Sequence, residues 1–407
     1  MRRLRRRIES VRGRLSELPR LRTLVGLPKS FDVSAGQWEA IEPELSLLAL
    51  RLKRRLDLVS RKLLSESKPS SARELNAAIG AVEMQMSTAF VLFDTYMDVL
   101  TQRHVPELGR LLRGCDMIAW SGLRKDHPAL QIIVPPLVYC DRGFGASTLR
   151  EGVRFPGKGW NPLPLIQIPY SRLKEKPNLT SILHEAGHEA MVRLGLTKSL
   201  PAALREALSA APTSVRDLYA LWSSEIGPDF WTFCACGIAE TATLREILAL
   251  PPHQVLHIAV PDPHPPPLVR LILSCEWCRQ LWGRGVWDDW EAEWREYYPL
   301  ESTTKETREM LAECLRYVPR VAQALLRTRF RVLGNRAIPA LFDINDIDPT
   351  RVAGIAARFP RGLNALSPPA QLGVFRMLKE QERLDEHGID DVMSKWLIGL
   401  SNGSLRN

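Results

Sequence analysis

The amino-acid sequence predicts an α+β protein with mainly α-helical N- and C-terminal flanking regions. Three observations carry this. Apolar residues recur at steps of three and four through the N-terminal part. The texture turns β-rich and glycine-rich near Leu130. Helical spacing returns at about Leu179 and again holds from about Trp287 to the end. The expected division is a helical region over 1–115, a central domain over 116–285 and a helical region over 286–407. A length of 407 residues suits more than one domain.

The elements follow in order. Leu4, Ile8, Val11, Leu15 and Leu18 keep helical period in a segment with nine arginines against Glu9 and Glu17 before Leu24. That is a helix docked by its leucines with an arginine face outward. Such a face could take a nucleic acid or an anionic membrane surface as partner. Ile41, Leu45, Leu48, Leu52, Leu56, Val59 and Leu63 form a second stripe. Leu75, Ile79, Val82, Met86, Phe90, Phe93, Met97 and Leu100 form a third, after a Ser/Lys/Pro linker from Ser65 to Ser71. Two helices joined so briefly would pack antiparallel. Ile132 to Tyr139 and Pro164 to Leu173 read as strands with glycines between them. Trp287, Trp290 and Trp294 share one helix face and should pack on a neighbour.

Composition narrows the function. Hydrophobic residues at 45% and charged residues at 25% exclude a disordered or fibrous chain. Leu45 to Leu50 and parts of Ala89 to Leu100 are the longest apolar stretches, and both fall short of the roughly 18 to 20 residues that cross a bilayer. No transmembrane segment is expected. No apolar run follows the N-terminal arginines as in a secretory signal, and seven cysteines is an odd count. The expected location is therefore cytoplasmic.

The chemistry sits in Ser181-Ile182-Leu183-His184-Glu185-Ala186-Gly187-His188-Glu189-Ala190, which contains H-E-x-x-H. Residues four apart share a helix face, so His184 and His188 can bind one metal ion from the same side. Two imidazoles suit zinc, and one catalytic Zn2+ is the cofactor expected. Glu185 lies on the flank, where it can take a proton from a water activated by the metal.

A catalytic zinc takes three protein ligands. Glu206, Glu225 and Glu240 are the downstream candidates, and Glu225 is preferred because Asp229 follows it by one turn. Asp229 can hold the outer nitrogen of a ligand histidine. Pro228 is compatible if it lies in a first helical turn. Asp262-Pro263-His264-Pro265-Pro266-Pro267 then fixes a histidine in a proline-rich loop before a helix. His264 is placed to donate to a developing oxyanion, with Arg270 supporting it or holding a substrate carbonyl.

H-E-x-x-H, E-x-x-x-D and H-P-P-x-x-x-R in this order resemble the gluzincin zinc metallopeptidases, closest to the CAAX-prenyl-protease and heat-shock-protease type. The resemblance covers Leu130 to Leu273. It implies a zincin-like catalytic domain, peptide or protein substrates, zinc ligands at His184, His188 and Glu225, and Glu185 as general base. It also implies Asp229 in support of a ligand and His264 and Arg270 as transition-state stabilisers. Leu165 to Tyr170 resembles the edge strand that holds an extended substrate in such enzymes. The chain departs from these relatives in lacking their membrane spans, and the 37-residue interval from His188 to Glu225 differs from the short one of thermolysin.

Other patterns carry less. Cys234-Ala235-Cys236 and Cys275-Glu276-Trp277-Cys278 could supply four thiolates to a metal, but their apolar surroundings read as buried reduced cysteines. His253 and His257 lack an acid at ligand spacing and read as incidental. No P-loop, nucleophile elbow or dinucleotide glycine set is present. The competing class is a non-catalytic helical scaffold with a degenerate or structural metal site and a basic N-terminal tail. Intact Glu185 argues for the hydrolase, since a structural site has no use for that base.

Overall fold

The computed structural model describes residues 1–28, 33–65, 69–143, 145–155 and 159–403. Helices take up 73% of the chain, so the β component is a minor insert in a helical protein. Helix α1 (Arg2–Leu15) buries Leu4, Ile8, Val11 and Leu15, and a short α2 (Leu21–Val25) follows. Helices α3 (Ala35–Ser65) and α4 (Pro69–Thr101) form the long hairpin that the two apolar stripes require. Residues 66–68 of the expected linker lie outside the described residues. The α1 arginines are partly engaged: Arg12 pairs with Asp57 at 2.8 Å, and Arg14 with Glu83 at 2.9 Å.

The stretch Ser71–His104 is long and apolar enough to cross a membrane, with a mean hydropathy of 1.2, although the sequence reading found no such segment. In the fold it is the second arm of the hairpin, with Leu75, Ile79, Val82 and Met86 buried against α1 and α3. Each fully buried leucine or isoleucine there contributes on the order of 1.5 to 3 kcal/mol.

Helices α5 (Pro106–Leu123) and α6 (Pro128–Gln131) lead into three short strands, β1 (Leu137–Cys140), β2 (Ser147–Leu149) and β3 (Leu165–Ile168). The first strand starts five residues later than the sequence suggested. Pro135 and Pro136 have no N–H to donate to a ladder, and Ile132 is exposed. The third ends at Pro169 for the same reason. The strand order is β1-β3-β2, with β1 parallel and β2 antiparallel to β3. Side chains alternate across this sheet. Leu137 and Leu165 enter the core of the N-terminal bundle, while Val138, Ile166 and Ile168 enter a second, larger core. The sheet is thus the wall between the two.

The larger core is built by α7 (Thr180–Arg193), α8 (Leu196–Ala207), α9 (Thr213–Cys236), α10 (Ile238–Ile247), α11 (Pro252–Val255) and α12 (Pro267–Trp282). It continues through α13 (Val286–Tyr297), α14 (Lys305–Arg327), α15 (Pro349–Ala357), α16 (Pro368–Glu380) and α17 (Glu386–Ser401). Trp287, Trp290 and Trp294 share this core with Trp277 and Phe230, so apolar packing passes from 285 to 286 without a break. The last helix closes on α5, where a Cβ on Gly114 would stand 2.5 Å from the Leu397 carbonyl oxygen.

The two outer strands of the sheet differ. Along β1, the Val138 N–H donates to Asp116 at 2.7 Å and the Val138 carbonyl accepts from Arg103 at 3.0 Å. Gln102 both donates to and accepts from Cys140, at 2.8 and 2.9 Å. Arg103 and Asp116 are buried and paired at 2.8 Å. Side chains therefore complete the β1 ladder. On the other outer strand, β2, the Asn161 amide donates to the Leu149 carbonyl at 2.8 Å, while the Ser147 and Thr148 backbones have no partner beyond β3 among the described residues. The resemblance to gluzincins implies an edge role for Leu165–Tyr170. In the structure β3 is instead the central strand, paired on both sides.

Candidate metal centre

Helices α7 and α9 cross at contact distance, and the motif's own small residues permit it. A Cβ on Gly187 would stand 2.9 Å from the Pro228 Cα. One on Gly227 would stand 3.0 Å from the Met191 sulfur, and one on Gly122 of α5 would stand 2.6 Å from Leu183. The Trp231 indole also donates to the Gly122 carbonyl at 3.1 Å, which ties α9 to α5. Pro228 lies in the middle of the 24-residue α9, not in the first turn that the sequence suggested. It leaves the Ser224 carbonyl without its helical donor. Ser224 is on the exposed side, where solvent can serve instead.

This crossing faces His184 and His188 toward Glu225. Glu225 Oε2 lies 3.3 Å from His184 Nε2 and 3.6 Å from His188 Nε2. All three ligand atoms lie within 4.8 Å of one another. Two atoms each about 2 Å from one tetrahedral zinc stand roughly 3.3 Å apart, so the donor set fits that ion in number, chemistry and spacing.

The outer side of His184 is fixed as well. Its Nδ1 donates to Asp229 Oδ1 at 2.7 Å. Arg270 grips the same carboxylate with two bonds, Nε to Oδ2 at 2.8 Å and Nη2 to Oδ1 at 2.7 Å. The Arg270 guanidinium is thus committed to Asp229, in place of the direct role toward His264 or a substrate carbonyl that the sequence suggested. Glu240 is buried as well, its carboxylate near His184 and Asp229. Because Nδ1 already serves Asp229, the group with both Nε2 atoms and Glu225 is the one that can hold an ion. Glu206 is exposed on α8 and takes no part in either group.

Electrostatics sharpen the difference between the two histidines. Burial opposes a charged His184, but the Asp229 carboxylate outweighs it and lifts its pKa to about 10. Burial and the neighbouring His184 charge lower His188 to about 4, which keeps its ring neutral and its lone pair available. Burial alone would raise Asp229, yet Arg270 and His184 hold it well below the ordinary carboxylate range. Burial raises Glu185 to about 7 and Glu240 to about 8. A cation at His184 Nε2 would take the place of its second proton.

His264 stands at the rim. Its Nε2 is 3.6 Å from Glu225 Oε2, its Nδ1 is held by Asp262 at 2.6 Å, and its side chain is 58% exposed. It is therefore the one of these groups that faces solvent. His253 and His257, set aside on sequence, line a hollow of about 370 Å³ together with Asp262 and His264. Cys234, Cys236, Cys275 and Cys278 are buried free thiols and join no ligand group among the described residues.

One further cluster joins α7 to the residues after β2. Glu189, buried beside His188, accepts from the Glu151 backbone N–H at 3.2 Å and from Arg193 Nε at 2.9 Å. Arg193 also pairs with Glu151. This fastens the residues just after β2 to α7. The Glu189-to-Arg193 spacing was readable as a helical pair, but the long-range partner Glu151 was not. No protein-family model, curated protein or solved structure matches this chain.

Proposed function

We propose that this chain is a zinc-dependent metallopeptidase of gluzincin type, with a zincin-like catalytic region. The observation that supports this best is the convergence of His184, His188 and Glu225 within 4.8 Å, beside a Glu185 that is not part of the ligand set. His184, His188 and Glu225 would hold the ion. Bound there, zinc supplies Lewis acidity toward a peptide carbonyl and makes water acidic near neutral pH.

The chain's residues do the rest. Glu185 takes the proton from the attacking water and returns it to the leaving amine. Asp229, held by Arg270, keeps His184 in the tautomer whose Nε2 lone pair faces the ion. With both ring nitrogens protonated, Nδ1–H held by Asp262, His264 donates from Nε2 to the oxygen that gains charge as the carbonyl is attacked. The outer edge of β2 at Ser147 and Thr148 lies beside α7 and can accept an extended peptide as a further strand.

The test uses the full chain, loaded with zinc, and a mixture of peptides. Glu185→Gln is expected to lower hydrolysis by about 10²- to 10⁴-fold while zinc stays bound, because the base is not a ligand. Wild-type turnover in that variant would overturn the assignment.

A further inference from the structure

The N-terminal bundle has a face that the metal centre does not use. Helix α3 buries one stripe, yet on its opposite side Leu47, Leu50, Leu58 and Leu64 are all exposed, Leu64 by 69%. Among the described residues no other helix leaves more than two large apolar side chains so open. At 3.6 residues per turn, Leu47, Leu50, Arg54, Leu58 and Arg61 fall within an arc of roughly 80°. Arg51 and Lys53 flank that arc. None of these four cations has a hydrogen-bond or ion-pair partner among the described residues. Asp57, the one acid between Arg51 and Ser65, is taken by Arg12 at 2.8 Å. The same contact places α1 along this side of α3, and α1 adds Arg2, Arg3, Arg5 and Arg6, all exposed and likewise unpartnered.

We propose that this leucine-and-arginine face of α1 and α3 docks on an anionic lipid bilayer surface. Leucines among arginines match the acyl boundary and the headgroups of such a surface together, and each added cation near it contributes on the order of 1 kcal/mol. A nucleic acid fits less well. Single-stranded chains are held largely by stacking on aromatic rings, and no Phe, Tyr or Trp lies in residues 1–30 or 39–89. A duplex would have no use for four exposed leucines. Helix α3 lies along the surface in this arrangement, as its buried opposite side requires.

The full chain is sedimented with vesicles of phosphatidylcholine alone or mixed with phosphatidylserine, at low and at raised salt. Binding is expected only to the mixed vesicles and should weaken with salt. Arg54→Glu with Arg61→Glu should weaken it by about tenfold or more. Leu58→Asp should also weaken it several-fold, and so should the uncharged Leu58→Ser, which pure charge attraction would not require. These positions are exposed, and circular dichroism confirms that the variants fold. Equal binding to both vesicle types, or none, overturns the proposal. So does a lipid-free dimer broken by Leu58→Asp, which would make a second copy the occupant. Duplex DNA binding that survives Leu58→Asp, with vesicle binding also unchanged, would assign the face to polyanions and overturn it too.

Discussion

The two cores on either side of the sheet are built on different terms. In the N-terminal bundle each helix is buried on one side. The apolar stripes of α3 and α4 point inward, and ion pairs such as Arg14 with Glu83 stay at the surface. In the larger core α9 is buried nearly all round, and carboxylates go inside with it: Glu225, Asp229, Glu189 and Glu240. Buried carboxylates need fixed partners, since an unpaired one costs several kcal/mol. Asp229 has His184 and Arg270, and Glu189 has Arg193 and the Glu151 N–H. The candidate metal centre depends on backbone spacing at the α7–α9 crossing, where Gly187 meets the Pro228 backbone.

That contrast can be broken most strongly at Asp229. Asp229→Ala leaves Arg270 buried without its partner, and unfolding in urea is expected to show a loss of about 3 to 5 kcal/mol. Zinc affinity, measured by chelator competition, should fall by roughly 10- to 100-fold. A variant as stable as the wild type would mean that the network does not hold this core together.

The crossing itself comes next. Gly187→Ala must push α7 away from Pro228, whose Cα would lie 2.9 Å from the new Cβ. A loss of about 1 to 3 kcal/mol is expected, together with weaker zinc binding, because the ligands sit on both helices. The matching change in the bundle is Gly80→Ala. Its new Cβ meets only the end of the Arg7 side chain at 3.5 Å. Here stability should stay the same or rise by about 0.5 to 1 kcal/mol, the ordinary gain for replacing glycine within a helix. Equal effects at Gly187 and Gly80 would erase the distinction between the two cores.

The same contrast decides what the sequence could show. The α3 and α4 stripes were readable because a one-sided helix displays its period, from Ile41 to Leu63 and from Leu75 to Leu100. Helix α9 shows no such period, and Glu225 was singled out only through the one-turn offset to Asp229. His184, Glu185 and His188 were legible as a local pattern on one helix. The sheet edge was not legible, because Gln102, Arg103 and Asp116 close β1 from well over a dozen residues away in sequence. Arg270 was found as a motif residue, but its partner Asp229 lies 41 residues earlier, and only the packing of α12 on α9 brings the two together.

The most direct test of the metal centre is the zinc content of the purified chain after dialysis against metal-free buffer. The wild type and Glu185→Gln should each retain about one zinc per chain, and His188→Ala should lose it. A wild type that keeps no zinc, or a His188→Ala variant that keeps as much as the wild type, would contradict the assignment of His184, His188 and Glu225 as the ligands.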